Sequence, residues 1–547
     1  MFELNKVKLS YKADGRVYSV TAGESVSNSR VSLDISREGD RFTASVTSKT
    51  PIELLKLSAE FACDYPADCR IYLNGYQSWT DSTEHTADGV MTGIDRIPSA
   101  LNDRYTFSAY GDYTFVKYSR RRGCMHGFSY GYIRHGIGEF ALIGSLNERE
   151  GFTIIRTDTE KGIITAEKDC AGLEMSGRYG GIALCLAEGG ENEVFDRYFE
   201  LMGIEPPKAQ PIRGFTSWYR HYQDISETVI MNDLDGLIAS GTAADVFQID
   251  DGYQTAVGDW LSVDTEKFPS GMKTVADSIK AHGMRAGIWL APFVCEEDSE
   301  LYSSEPDMLL RDEQGRAVKC GNNWSGFYAL DIYSPKVREY VRKVIGTAVN
   351  EWGYSLLKLD FLYAACVIPR RDKTRGQVMA EAMELLRECA GSAEILGCGV
   401  PLASAFGMVG YCRIGTDVSL DWDDKAYMRL LHRERPSTRN TILNSVFRRQ
   451  LSGRAFLNDP DVYQLREDEN TMTPAQRRCL AEINVLTGGV LFTSDDMGKY
   501  GEAQREMLAD MEALSGAEIA AAELRGSELI ITIEKNGRSA IRVYDMG

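Results

Sequence analysis

From residue 212 onward the chain repeats one unit eight times, a short apolar run followed by a segment with helical signals. The runs are "RGFTSWY", "DVFQIDDG", "RAGIWLAPF", "LLKLDFLY", "EILGCGV", "YCRIGTD", "AFLNDPDV" and "GVLFTSDD". Between them, Ser334 and Pro335 open "SPKVREYVRKVIGTAVNEWG", whose Val337, Tyr340, Val341, Val344 and Ala348 share a face and whose Gly353 stops it. Met272, Val275 and Ile279 do the same in "GMKTVADSIKAHG", which ends at Gly283. Eight such alternations predict a (β/α)8 TIM barrel, with an open doubly wound sheet as the alternative.

The flanks read differently. Residues 1–205 alternate β-type runs such as "RVSLDIS", "RFTASVTS" and "EFALIGSL" with turn residues and show no long helical period, which predicts an N-terminal antiparallel β-sandwich. Prolines in "GIEPPKAQP" mark the linker into a barrel spanning 206–505. The remainder, 506–547, contains two or three strands with a Lys-Asn-Gly turn, and reads as a small C-terminal antiparallel β domain.

Composition narrows the chemistry. A formal net charge of -19 argues against nucleic acid or an anionic membrane as partner. The N-terminus lacks a signal-peptide pattern and no apolar window is long enough for a membrane span, so the expected location is cytoplasmic. Twelve scattered cysteines read as free thiols, and none of the six histidines has an H-x-x-x-H spacing. No metal or other cofactor is expected.

The run "LLKLDFLYAA" poses the functional question, because it places Lys358 and Asp360 inside an apolar strand. Strand alternation points the two the same way, toward the barrel interior at its mouth, where each can partner the other, while Leu357, Leu359 and Phe361 point to the helices. Other strand ends add Asp250 and Asp251, Trp289, and Arg413 with Asp417. Active sites of this fold lie at the strands' C-terminal ends. Paired carboxylates with aromatic walls, and no phosphate-binding or nucleophile-elbow motif, suit glycoside hydrolysis.

In order along the chain, "FQIDDGYQTAVGDW", "KFPSGM", "GIWLAPF", "LDIYSP", "LLKLDFLYAA", "LGCGVPLASAFG", "CRIGTDV" and "LNDPDV" resemble the α-galactosidases of glycoside hydrolase family 36, the shorter bacterial type, and "NGYQSWT" extends the likeness into the sandwich. The resemblance implies metal-free double displacement on terminal α-galactosyl residues of small oligosaccharides. It makes Asp360 the nucleophile and Asp417 the acid/base, the latter with a raised pKa. Lys358 and Arg413 would keep Asp360 ionised and bond sugar hydroxyls, and Asp250 and Asp251 would bind the hydroxyls at carbons 4 and 6. Trp218, Tyr219 and Trp289 resemble the aromatic walls, Trp79 a loop over the mouth, and Cys398 and Gly399 the carbon-2 region.

Two other readings remain open on these residues. One is an α-N-acetylgalactosaminidase or another retaining α-glycosidase of the same family. The other is a non-catalytic carbohydrate-binding protein, against which stands the presence of both Asp360 and Asp417. Family members often assemble, but the sequence identifies no interface.

Overall fold

In the computed structural model, the structure describes residues 1–94, 97–136, 138–423 and 433–547. The eight apolar runs form eight parallel strands: β1 (Ile212–Thr216), β2 (Val246–Ile249), β3 (Arg285–Leu290), β4 (Leu356–Leu359), β5 (Glu394–Gly397), β6 (Tyr411–Arg413), β7 (Leu457–Asp459, resuming at Val462–Tyr463) and β8 (Val490–Thr493). Successive strands pair in chain order from β1 to β7, and β1 also pairs with β8. The ring closes through β7, whose first piece pairs with β6 and whose second pairs with β8. Pro460, which has no N–H to give a ladder, and Asp461, at φ +73°, make the break between the pieces. Closure rules out the open doubly wound sheet.

The strands are short and buried almost throughout, as parallel strands covered by helices on one side and barrel packing on the other must be. The helices land where caps and periodicity place them. Pro335–Gly346 buries Val337, Val341 and Val344, and Gly271–Ala281 buries Met272, Val275 and Ile279.

Residues Glu3 to Gly189 build one antiparallel sheet of thirteen strands, tied together by the long strand Arg41–Ala62. It encloses its own core, with Val7, Leu9, Leu33, Phe42, Leu57 and Phe61 among the buried residues. One expectation fails here, because a helix, Glu191–Met202, follows the last strand. Its buried Val194, Phe195, Tyr198 and Phe199 fall on one helical face, a pattern readable in the sequence once the β-rich context is set aside. Phe199 reaches Phe406 of the barrel, with ring centroids 5.3 Å apart, so the helix seats the sandwich on the barrel.

Three strands close the chain, Glu518–Arg525, Glu528–Lys535 and Arg538–Asp545. The last two are joined by Asn536 and Gly537, both at positive φ (52° and 72°), which matches the twist of a two-residue hairpin. A further small sheet, of Val294–Glu296, Lys319–Gly321 and Phe327–Ala329, lies between β3 and β4. The strand alternation gave no sign of it. All twelve cysteines are free, and no helix among the described residues is long and apolar enough to cross a membrane.

Candidate active site

The C-terminal strand ends converge on a cavity of about 590 Å³. Trp218, Asp251, Trp289, Lys358, Asp360, Asp417 and Trp79 line it, so the structure brings together seven of the twelve residues singled out from the sequence. Arg413, Asp250, Tyr219, Cys398 and Gly399 stand behind its wall.

Asp360 follows β4, and its amide donates to the Leu290 carbonyl at 2.9 Å. Its Oδ2 accepts from Trp289 Nε1 at 3.1 Å and its Oδ1 from the Phe361 amide at 2.8 Å. Burial pushes this carboxyl above the ordinary aspartate range, with Lys358 and Trp289 pulling the other way and the Asp417 charge adding to the rise. The ring of Phe361 also lines the cavity, contrary to strand alternation. The strand ends at Leu359 and Phe361 sits at φ +53°, so the two-residue period no longer governs where its side chain goes.

Lys358 does not partner Asp360 directly. Its Nζ donates to Asp250 Oδ2 at 2.8 Å, and both side chains are buried. Burial works against the ammonium, but the Asp250 carboxylate, with Cys398 and Asp360 adding to it, holds the lysine above its usual range. Asp250 also takes Gln248 Nε2 at 2.8 Å and the Thr216 hydroxyl at 3.5 Å on Oδ2, and the Asp251 amide at 3.0 Å on Oδ1. It orients Lys358 and is not among the residues that line the cavity. Asp251 is, with Gln254 (2.6 Å), Gln223 (2.9 Å) and Trp324 (2.9 Å) donating to it. Burial pushes its carboxyl up to about 6 in spite of those donors.

Arg413, expected to serve Asp360 and sugar hydroxyls, serves neither in this geometry. Nη1 lies 2.9 Å from Asp417 Oδ1, Nη1 and Nη2 each lie 3.0 Å from an oxygen of Asp461, and Nε lies 3.3 Å from Asp459. Such a fork-to-carboxylate arrangement fixes geometry strongly. Tyr219 likewise forms no wall, since its hydroxyl donates to Asp461 beneath the cavity floor. Asp417 is the open member of this group, its side chain 41% exposed while that of Arg413 is 3% exposed.

Cys398 and Gly399 act through Trp79. The indole Nε1 donates to Cys398 Sγ at 3.3 Å, and a Cβ on Gly399 would lie 2.9 Å from the indole ring. Only a bare backbone lets the ring settle there, and Gly399 also sits at φ +54°. Trp79 meets Phe361 edge to face at 5.1 Å, so a sandwich loop forms part of the barrel's cavity.

Several lining residues escape a reading of strand ends. Trp324, Asn322 and Asn323 come from the small sheet after β3, and Leu101, Tyr105, Phe107 and Tyr110 from a sandwich excursion. Tyr110 joins the two, its hydroxyl bonding Asn323 Oδ1 at 2.5 Å and accepting the Asn322 amide at 2.8 Å. Glu434 and Pro436 complete the wall. The Asn-Asn-Trp of "GNNWSGF" was the available signal for one of these segments; the others carry none. Among the described residues no group of His, Cys, Asp and Glu is placed to hold a metal ion.

The melibiase family model matches residues 207–384. A blood-group A α-D-galactosamine galactosaminidase of Flavonifractor plautii is 32% identical over 144 residues, covering 25% of this chain and 13% of that protein. An α-galactosidase of Escherichia coli is 28% identical over 180 residues, 31% of this chain and 24% of that protein, so the chain matches less than a quarter of these relatives' length. The α-galactosidase of Thermus thermophilus, solved with p-nitrophenyl α-D-galactopyranoside, superposes with a TM-score of 0.74 at 27% identity over 99% of both chains. The family 36 α-galactosidase AgaA of Geobacillus stearothermophilus shares the fold, with a TM-score of 0.62 at 14% identity over 94% of this chain and 72% of the other. The chain thus carries a segment that matches the melibiase model and shares its fold, over its whole length, with the α-galactosidase of Thermus thermophilus.

Proposed function

We propose that the chain is a retaining exo-α-galactosidase that releases terminal α-D-galactosyl residues from small oligosaccharides. The observation that carries this reading is the pairing in one cavity of a buried carboxyl, Asp360, with an open one, Asp417. Asp360 attacks the anomeric carbon and Asp417 protonates the departing oxygen. Asp417 then takes a proton from the water that cleaves the galactosyl ester, and the two inversions sum to retention. Exposure suits Asp417 to its part, because the leaving group and the water both reach it from solvent. Trp289 holds Asp360 by its second oxygen, and Arg413, its fork set by Asp461, bonds Asp417 through Nη1. Asp251 and Lys358 bind galactosyl hydroxyls, with Asp250 setting the ammonium. A site whose buried polar groups are matched to those hydroxyls penalises an epimer that leaves them unpaired.

Solved relatives were captured with stachyose and raffinose, which supports oligosaccharides as the substrate class. The galactosaminidase relative supports a second reading, in which the carbon-2 substituent is an amine or its acetamide. A panel of 4-nitrophenyl α- and β-glycosides of galactose, galactosamine, N-acetylgalactosamine, glucose and mannose, assayed with chelator present, tests both. Turnover of the α-galactoside ahead of the rest supports the main reading. Turnover confined to the galactosamine derivatives replaces it with the second, and silence across the panel removes both.

A further inference from the structure

Glu434 has no part in the double displacement, yet it lines the same cavity. Its Oε1 accepts from the hydroxyl of Thr80, next to Trp79, at 2.8 Å, and its Oε2 from the phenol of Tyr113 at 3.3 Å. A Cβ on Gly111 would lie 2.6 Å from Oε1, so the glycine is what lets the carboxyl sit there. On the barrel side Pro436 lines the cavity, and the Ser437 amide donates to the Asp417 carbonyl at 2.9 Å. The carboxyl, carried by the barrel, is thus held by two hydroxyls of the sandwich domain, one of them next to Trp79.

Its position decides what it meets. Asp251 follows β2, and the segment that carries Asp417 follows β6, four strands away around a ring of eight. If Asp251 and Lys358 take the galactosyl unit, the space beside Asp417 and Glu434 receives the group that leaves. Resting on that reading of the site, we infer that Glu434 determines aglycone specificity, hydrogen-bonding a hydroxyl of a sugar leaving group and thereby favouring oligosaccharides over simple galactosides. Each carboxyl oxygen accepts one protein hydroxyl, which leaves capacity for a ligand. Burial, with Asp112 adding to it and Arg433 opposing, pushes the carboxyl up to about 7, and a group titrating there both donates and accepts.

The test compares melibiose with methyl α-galactoside in wild type, Glu434→Gln and Glu434→Ala. Both substrates have poor alkoxide leaving groups, so help to the acid would show equally in each; only melibiose offers aglycone hydroxyls. The expected result is that Glu434→Ala lowers the kcat/KM ratio of melibiose to methyl α-galactoside about tenfold, mainly through KM, with Glu434→Gln intermediate. Equal losses on the two substrates in both variants, or no loss, would overturn the assignment. A wild type that turns over neither substrate overturns the α-galactosidase reading on which it rests.

Discussion

Lys358 Nζ and Asp250 Oδ2 lie 2.8 Å apart at the barrel mouth, each more than nine-tenths buried. Removing one member of such a pair strands the other, at a cost of about 3–5 kcal/mol. Lys358→Met should therefore lower Tm and activity together, and Lys358→Met/Asp250→Asn should recover part of the lost stability. Thermal unfolding of the three proteins checks this; a double variant no more stable than Lys358→Met would contradict the pairing.

Asp251 makes a different demand on stability. Its carboxyl is pushed up to about 6 from an ordinary value near 3.8. A group raised by folding contributes stability that is complete below its unfolded pKa and is lost as pH rises through the folded one. Between about pH 4 and pH 6 this loss is on the order of 3 kcal/mol. In Asp251→Asn the group no longer titrates, so its Tm relative to wild type should climb as pH goes from 4 to 7. Parallel Tm curves would contradict the assignment.

Asp360 must be charged to attack, and burial raises its pKa. Activity should fall as pH drops through that raised value, placing the acid limb of kcat/KM above the ordinary aspartate pKa of about 3.9. Because Lys358 opposes the rise, Lys358→Met should carry the limb still higher in whatever activity remains. A limb that stays in place in the variant would show that the two charges do not interact across the site.

Gly399 offers a test of the Trp79 contact that leaves the indole in the protein. Gly399→Ala adds a Cβ 2.9 Å from the ring at a φ of +54°, so the ring must move or the backbone must strain. The expected outcome is a KM raised several-fold with a stability loss of about 1 kcal/mol or more. Unchanged kinetics would mean that the position of Trp79 does not matter to substrate.

The fold was legible because its signals are local. "LLKLDFLY" and its seven counterparts are short apolar runs, several with acidic residues toward their C-terminal ends, and parallel packing leaves few topologies for them. The site was legible where a strand dictates direction, as for Trp289 and Lys358, and illegible where backbone leaves the strand, as at Phe361 and Asp461, both at positive φ. Partners were harder still. Lys358 and Asp250 are 108 residues apart, and no local pattern says that the lysine prefers Asp250 to Asp360. The wall built from Tyr105, Tyr110 and Trp324 arises only when two remote segments fold over one mouth.

The division of labour between Asp360 and Asp417 is tested most directly by azide rescue of Asp360→Gly. Without the nucleophile, hydrolysis of an activated α-galactoside should be abolished. Azide entering the vacated space should restore product formation as the β-galactosyl azide, identified by the anomeric coupling constant in its proton NMR spectrum. Formation of the α-galactosyl azide in Asp360→Gly would contradict this, because it would make Asp360 the acid/base and Asp417 the nucleophile.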